Sequence, residues 1–241
     1  MALIQRFEEI WRMSENSWLS TTVDRNINNY RNKTLIICHG LTGDKIGPQK
    51  LLSDLSGYLA LSCGGAEVVR FDFRGSGLSS GTFVDTSLDS MCEDALWIAN
   101  RFSSPVIWVG LSTGALIALM AAGKRGKKEQ VIAVSNGFAD QIDFNNLEGN
   151  LVPLRGGQLF LSKDYFVTRS RLCPRANYFH KTGAITSILG SNDEKHFREY
   201  HSLQDAGVKA HIIDGGDHLF TDLGKRKELF SYLKDLINET V

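Results

Sequence analysis

Short apolar segments alternate with longer amphipathic ones along most of this chain. The apolar segments are rich in β-branched residues and end in glycine or turn-forming residues, which is typical of strands buried on both faces of a sheet. They are residues 34–38, 66–73, 106–110, 130–134, 184–189 and 208–213. Because helical segments separate them, the pattern predicts an α/β fold with a mainly parallel central sheet and helices on both faces.

Apolar residues at helical spacing mark the segments between these strands. The predicted helices are residues 48–62, 87–102, a segment directly after Ser112, 194–206 and 220–238. The start of the chain is ambiguous, because residues 4–11 fit either a helix or a strand. We favour strands there, since a hairpin would extend the sheet that follows.

Residues 137–181 interrupt this alternation. The segment holds glycines, two of the four prolines and many aromatic residues. We therefore predict one domain over residues 1–241 in which 137–181 is an inserted cap above the site. Aromatic side chains of the cap are expected to line an acyl pocket. They are Phe138, Phe144, Phe160, Tyr165, Phe166, Tyr178 and Phe179.

The second half of the predicted cap is basic. Its single acidic residue is Asp164, and its basic residues include Arg155, Lys163, Arg169, Arg171 and Arg175. One interpretation is a solvated basic face. The other is a surface that receives an anionic group, such as a substrate carboxylate, the phosphate of a pantetheine arm or an acidic acyl carrier protein, because arginine pairs well with carboxylate and phosphate.

A G-x-S-x-G sequence, Gly110–Gly114, lies between a predicted strand and a run of helix-forming residues. A sharp turn from strand to helix exposes the hydroxyl of its central residue, Ser112, and the start of the helix favours negative charge nearby. A second copy of the pattern, Gly77–Gly81, is separated from its strand by residues 74–76 and is followed by no helix. We interpret that copy as a loop, and Ser112 as the candidate nucleophile.

A serine nucleophile needs a base, and the base needs an orienting carboxylate. Functional groups gather beyond the C-terminal ends of parallel strands, where His218 follows a Gly-Gly pair and Asp193 follows another strand. We favour Asp193 as the acid over Glu194, Asp214 and Asp217. We interpret His180, His196, His201 and His211 as surface or cap residues. His39 is expected to shape a loop near the site, and Asp72 to organise a loop through backbone hydrogen bonds.

These motifs together resemble the α/β-hydrolase family over residues 33–238, and the single-domain size is similar to the small esterase and serine-aminopeptidase-like subgroup, which includes feruloyl-type esterases. The resemblance rests on His39-Gly40, Asp72–Gly77, Gly110–Gly114, Gly190–Asp193 and Gly216–Phe220. It implies that Ser112 is the nucleophile, His218 the general base and acid, and Asp193 the orienting acid. It also implies an oxyanion hole formed by the backbone N–H groups of Leu41 and Thr113.

Composition narrows the functional classes. Lys+Arg and Asp+Glu are both 27, so the formal net charge is zero and gives no support for a nucleic-acid partner. No apolar run approaches the length of a membrane span, and the N-terminus has no signal-peptide pattern. The four cysteines lack metal-ligand spacing, so we expect free thiols in a cytoplasmic protein.

The sequence therefore predicts a serine hydrolase that cleaves a small-molecule carboxylic ester or thioester through a covalent acyl-enzyme on Ser112. We expect no metal or organic cofactor to be needed. An acyltransferase that uses the same residues with a non-water acceptor is the first alternative. A non-catalytic binding protein on the same fold is the second.

Overall fold

A computed structural model describes residues 3–28, 33–103, 105–136, 138, 149–172 and 177–239. It confirms the predicted α/β fold with a mainly parallel sheet. The strands are β1 (Ile4–Ser14), β2 (Ser17–Asn26), β3 (Lys33–Cys38), β4 (Ala66–Phe71), β5 (Ile107–Leu111), β6 (Val131–Val134), β7 (Leu151–Leu154), β8 (Leu159–Ser162), β9 (Ile185–Gly190) and β10 (Lys209–Ile213). The central sheet has the order β1-β2-β4-β3-β5-β6-β9-β10, and its last six strands are parallel.

The hairpin predicted at the N-terminus is confirmed. Strands β1 and β2 pair antiparallel, and β2 then pairs antiparallel with β4. Buried Asp24 on β2 fastens the hairpin to the domain, because its carboxylate accepts hydrogen bonds from Arg6 Nε at 2.6 Å and Ser56 Oγ at 2.5 Å. A buried carboxylate needs such partners to offset its loss of hydration.

The helices cover both faces of the sheet. They are α1 (Leu51–Ser62), α2 (Leu88–Ala99), α3 (Thr113–Arg125), α4 (Lys163–Arg171), α5 (Glu194–Phe197), α6 (Tyr200–Asp205) and α7 (Leu223–Glu239). The cores on the two faces are separate: one contains apolar residues of α2 and α3, and the other those of α1 and α7. Strand β3 contributes alternate residues to the two cores, with Ile36 in the first and Leu35 and Ile37 in the second. This double burial explains its uninterrupted apolar sequence.

Two predicted helices differ from those observed. The helix predicted over 194–206 is two short helices, α5 and α6, rather than one. The last helix begins at Leu223 rather than at Phe220, because Phe220 has a φ of 49°, which a right-handed helix does not accommodate. No helix among the described residues is long and apolar enough to cross a membrane.

The segment 149–172 contains more regular structure than its sequence indicated. Strands β7 and β8 form an antiparallel hairpin that leads directly into α4. Val152, Leu161 and Tyr165 join the core that contains α2 and α3. The hairpin therefore packs on the domain through a few apolar side chains. Other parts of the predicted cap, residues 137, 139–148 and 173–176, lie outside the described residues.

Candidate active site

The G-x-S-x-G turn joins β5 to α3 as predicted. Ser112 lies at the junction with φ 54° and ψ −121°, a conformation that non-glycine residues rarely adopt. A Cβ at Gly110 would approach the backbone nitrogen of Ala115 to 2.4 Å, and one at Gly114 would approach the carbonyl oxygen of Cys38 to 2.2 Å. The two glycines are therefore required for the tight packing of this turn.

The structure brings together the three side chains that the sequence singled out. His218 Nε2 lies 3.1 Å from Ser112 Oγ, and His218 Nδ1 lies 2.6 Å from Asp193 Oδ2. Asp193 follows β9 and His218 follows β10, at the C-terminal ends of neighbouring parallel strands. Parallel pairing thus places residues that are far apart in sequence within hydrogen-bond distance.

Asp214 and Asp217, which were the other aspartate candidates for the acid, bind groups other than the His218 ring. Asp217 Oδ1 accepts hydrogen bonds from the N–H groups of Leu219 and Thr221, both at 3.0 Å. Asp214 Oδ1 accepts one from Ser191 Oγ at 3.0 Å. Both carboxylates therefore stabilise the loop that carries His218, while Asp193 contacts the ring itself.

The interpretation of His196 as a surface or cap residue is wrong. His196 is buried, and its Nδ1 lies 2.9 Å from each oxygen of Asp193. Its ring stacks on that of His218 with centroids 4.7 Å apart and an interplanar angle of 25°. The signal was present in the sequence, since residues three apart at the start of a helix share a face. The spacing of Asp193 and His196 indicates a role in the site only once the fold shows that Asp193 contacts His218.

The two histidines set the ionisation of Asp193. Burial by itself raises the pKa of this carboxyl group, but hydrogen bonds from His196 and His218 outweigh it, so the pKa is lowered from its ordinary value. An ionised carboxylate only accepts hydrogen bonds, so both histidines carry their proton on Nδ1. The other ring nitrogen of His218, Nε2, faces Ser112 Oγ.

One donor atom from each of Asp193, His196 and His218 lies within 4.8 Å of the others, a spacing that a metal site would also show. Both Nδ1 atoms lie within hydrogen-bond distance of the Asp193 carboxylate, His218 at 2.6 Å and His196 at 2.9 Å. The shared hydrogen bonds to Asp193 account for the arrangement.

The loop after β3 lies against Ser112. A Cβ on Gly40 would be 3.4 Å from the Cβ of Ser112, so the backbone that leads to Leu41 passes close to the hydroxyl. His39 fixes this loop: its Nε2 accepts a hydrogen bond from Phe73 N–H at 3.2 Å, and its Nδ1–H donates to the Gly40 carbonyl at 2.8 Å. Burial lowers the pKa of His39, which keeps it neutral. His39 therefore shapes the loop, as predicted.

Asp72 organises two loops at once, in agreement with the sequence-based expectation. Its carboxylate accepts backbone hydrogen bonds from Lys45 at 2.6 Å and Leu78 at 3.0 Å. The ammonium group of Lys45 forms a buried ion pair with the same carboxylate at 2.8 Å. The loop that follows Leu41 is thereby fastened to the end of β4.

A cavity of about 380 Å³ opens beside Ser112. Its lining consists of the loop after β3, the end of β5, His218 and Leu219, with Arg155 as the contribution from the segment 149–172. Arg155 Nε donates to Thr42 Oγ1 at 2.9 Å, which holds the arginine across the loop. None of the described aromatic residues that were predicted to line an acyl pocket lines this cavity. Tyr165 and Phe166 are buried in the core instead. Phe144 lies outside the described residues.

Those basic residues of the segment that the structure describes do not form one face. Arg169 is buried, and its Nη1 donates to Thr113 Oγ1 at 3.0 Å and lies 3.3 Å from the Tyr165 hydroxyl. It therefore supports the start of α3 from behind, whereas Arg171 is exposed on α4. Arg155 is the member of the group that reaches the cavity. Arg175 lies outside the described residues.

Residues 33–159, more than half of the chain, match the family described as the alpha/beta hydrolase fold. The chain therefore belongs to the α/β-hydrolase fold family. A sequence search among curated proteins found no match.

Solved structures resemble the protein over nearly its whole length. Est1E from Butyrivibrio proteoclasticus with bound ferulic acid has a TM-score of 0.79 at 18% identity, covering 96% of this chain and 97% of its own. The alpha/beta hydrolase domain-containing protein 10 from mouse has a TM-score of 0.76 at 19% identity, covering 98% and 100%. A structure from work on carboxylesterases of Nitrososphaera gargenis has a TM-score of 0.69 at 16% identity, covering 97% and 100%. At these identities the likeness shows the shared fold.

Proposed function

We propose that the protein is a serine hydrolase that cleaves a carboxylic ester or thioester through an acyl-enzyme on Ser112. The observation that carries this proposal is the continuous hydrogen-bonded series Ser112–His218–Asp193, with distances of 3.1 and 2.6 Å. A hydroxyl in contact with a neutral imidazole, which is itself oriented by a carboxylate, is the arrangement that activates serine for attack on a carbonyl.

In the first half of the proposed reaction, Ser112 Oγ attacks the carbonyl carbon while its proton moves to His218 Nε2. The carbonyl electrons move onto oxygen, and the N–H groups of Leu41 and Thr113 stabilise the oxyanion. Two features support these donors: neither N–H donates a hydrogen bond within the described part of the chain, and Thr113 is the first residue of α3. Asp193 stabilises the imidazolium that forms on His218.

The tetrahedral intermediate then collapses. The bond to the leaving alcohol or thiol breaks, and the leaving group takes the proton from His218 Nε2. Water enters, gives its proton to the same nitrogen and attacks the acyl-enzyme, and a second collapse returns the proton to Ser112. Every proton in the cycle passes through His218, so the residue serves as base and as acid.

The comparisons and the cavity support a small-molecule substrate. Est1E was solved with ferulic acid, and the structure from Nitrososphaera gargenis belongs to work on carboxylesterases. The cavity of about 380 Å³ beside Ser112 is within the size range of small-molecule sites. We propose that the segment 137–181 acts as the cap of this site, with Arg155 as its contribution to the lining. Buried free thiols at Cys38, Cys63 and Cys92 fit a reducing compartment such as the cytoplasm.

Intact-mass analysis tests the proposed function. The protein is mixed with a panel of aryl esters and acyl thioesters and quenched in acid within the first turnovers. We expect a mass increase equal to one acyl group in the wild type and none in Ser112→Ala. Folded wild-type protein that neither hydrolyses the panel nor acquires an acyl group would contradict the proposal. Acylated protein that turns over only when an alcohol, amine or thiol is added would identify an acyltransferase instead.

A further inference from the structure

His196 contacts Asp193, the acid of the proposed Ser112–His218–Asp193 series, and its ring lies beside that of His218. The carboxylate of Asp193 receives the Nδ1–H of His218 on one oxygen and the Nδ1–H of His196 between both oxygens. We propose that His196 is a positioning residue, which acts on Ser112 through Asp193 and His218 by holding the carboxylate toward His218. The inference rests on the proposed hydrolase function for its catalytic consequence, while the positioning itself is a property of the free protein.

The location of Asp193 explains why its carboxylate needs to be held. Asp193 is the N-cap residue of α5, and aspartate at this position usually turns its carboxylate back to accept N–H groups of the first helical turn. Its side chain makes no such capping hydrogen bond here. The ring of His196, the third residue of α5, donates to the carboxylate instead. Without that donor, the N–H groups of α5 would compete with His218 for the same oxygens.

The stacked rings add a second restraint. His196 and His218 lie almost parallel at 4.7 Å, so the buried ring of His196 forms a wall that limits rotation of His218. Hydrogen bonding and stacking are separable, because the first needs an N–H at the position of Nδ1 and the second needs a flat ring. Substitutions at this one residue can therefore assign the effect to one or the other.

The variants His196→Asn, His196→Phe and His196→Leu make this separation. The amide nitrogen of asparagine occupies the position of histidine Nδ1 and keeps the donor without the ring, phenylalanine keeps the ring without the donor, and leucine removes both. We expect Leu and Phe to lower kcat roughly 10- to 100-fold, by analogy with the loss that follows removal of the hydrogen-bond partners that orient metal-binding side chains. KM should change little, and Asn should recover most of kcat.

A proton NMR measurement on the free protein tests the positioning role of His196 without relying on enzymatic activity. The Nδ1–H of His218 in its short bond to Asp193 should give a strongly downfield resonance in wild type and His196→Asn, and the resonance should be lost or moved upfield in His196→Leu. Retention of resonance and kcat in folded His196→Leu would overturn the inference. If wild-type protein shows the expected resonances but has no Ser112-dependent hydrolysis, the positioning stands and the proposed hydrolase function fails.

Discussion

Two serines of this protein occupy the same pentapeptide pattern, and their surroundings differ in every respect that concerns catalysis. Ser112 lies where a strand ends and a helix begins, with its hydroxyl 3.1 Å from His218 Nε2. Ser79 lies in a loop, where its hydroxyl donates to the Asp72 carbonyl at 2.6 Å and accepts the N–H of Ser20 at 2.8 Å. The first hydroxyl faces the imidazole of His218, which is the proposed base, and the second links β2 to the residue that follows β4.

The glycines of the two patterns also serve different purposes. Gly110 and Gly114 allow a strand and a helix to pack without room for a Cβ, which forces Ser112 outward. Gly77 and Gly81 have φ values of 51° and 89°, and a Cβ at Gly77 would be 2.2 Å from Oδ2 of Asp72. The G-x-S-x-G pattern is therefore compatible with two unrelated structures. The secondary structure that follows its second glycine distinguishes them.

Replacing each of the two serines with alanine should give the largest difference in effect between the two patterns. Ser112→Ala removes the proposed nucleophile, so kcat for a neutral aryl ester should fall by roughly 10⁴-fold or more while folding is nearly unchanged. Ser79→Ala should keep kcat near the wild-type value and lower the free energy of unfolding by about 1 kcal/mol, since it removes two hydrogen bonds. Steady-state kinetics and urea unfolding of both variants provide the measurement. A large loss of kcat in Ser79→Ala alone would reverse our assignment.

Removal of the orienting acid should have an effect of similar size. Asp193→Asn retains the shape of the side chain but favours the wrong tautomer of His218, so we expect kcat to fall by a factor on the order of 10⁴. Asp214→Asn and Asp217→Asn are matched controls, because both carboxylates bind elsewhere in the neighbouring loop. Near-normal turnover by Asp193→Asn together with an inactive Asp217→Asn would show that the acid is misassigned.

A smaller effect is expected from a substitution in the cavity beside Ser112. Arg155→Ala should raise KM about 10-fold for an ester with a carboxylate group and leave a neutral aryl ester unchanged, because one charge-assisted hydrogen bond is lost. Added salt should weaken binding of the anionic ester selectively. Arg171→Ala, which removes an exposed arginine that does not line the cavity, is the control. Equal changes for both esters would limit Arg155 to a packing role.

The region around the second pattern, Gly77–Gly81, should make the stability of the protein depend on pH without affecting the proposed reaction. Arg74, which precedes this loop, donates its N–H and Nε to buried Asp94 at 2.8 and 2.5 Å. Burial raises the pKa of Asp94 from 3.8 to about 6, although the hydrogen bonds and charge of Arg74 act in the opposite direction. Between these two values the folded protein binds more protons than the unfolded chain, so stability falls as pH rises through this window.

Asp94→Asn should abolish this dependence. From pH 4 to pH 7 the wild type should lose about 1–3 kcal/mol of unfolding free energy relative to the variant, which corresponds to a pKa shift of roughly two units. Urea unfolding at a series of pH values measures the difference. Parallel stability curves for the two proteins would contradict the raised pKa, and kcat at pH 7 should be similar in both.

The sequence predicted the parts of the fold and site that depend on local pattern. Strands such as β3 and β5 are uninterrupted apolar runs because both of their faces are buried, and Ser112, Asp193 and His218 each follow a predicted strand. The late start of α7 depends on the backbone angle of Phe220, which apolar periodicity does not reveal. The residues between α5 and α6, Arg198 and Glu199, keep angles in the helical region, so the sequence pattern continues across the break.

The mistaken or missed features depend on tertiary contacts. His196 looked like one polar residue of a helix, and its role follows from the position of β10 beside β9, which brings His218 to the same carboxylate. Arg169 belonged to a basic run in sequence, but the packing of α4 buries it behind Thr113. The hairpin of β7 and β8 is short and only partly buried, so it lacks the strong apolar alternation that identifies longer strands.

The most direct test of the assignment of Ser112 is covalent labelling. The folded protein is treated with a fluorophosphonate, which reacts with activated serines, and the modified residue is located by peptide mapping. We predict a single adduct on Ser112, lost in Ser112→Ala and retained in Ser79→Ala. Labelling on Ser79, or no labelling of protein whose folding has been verified, would contradict the account.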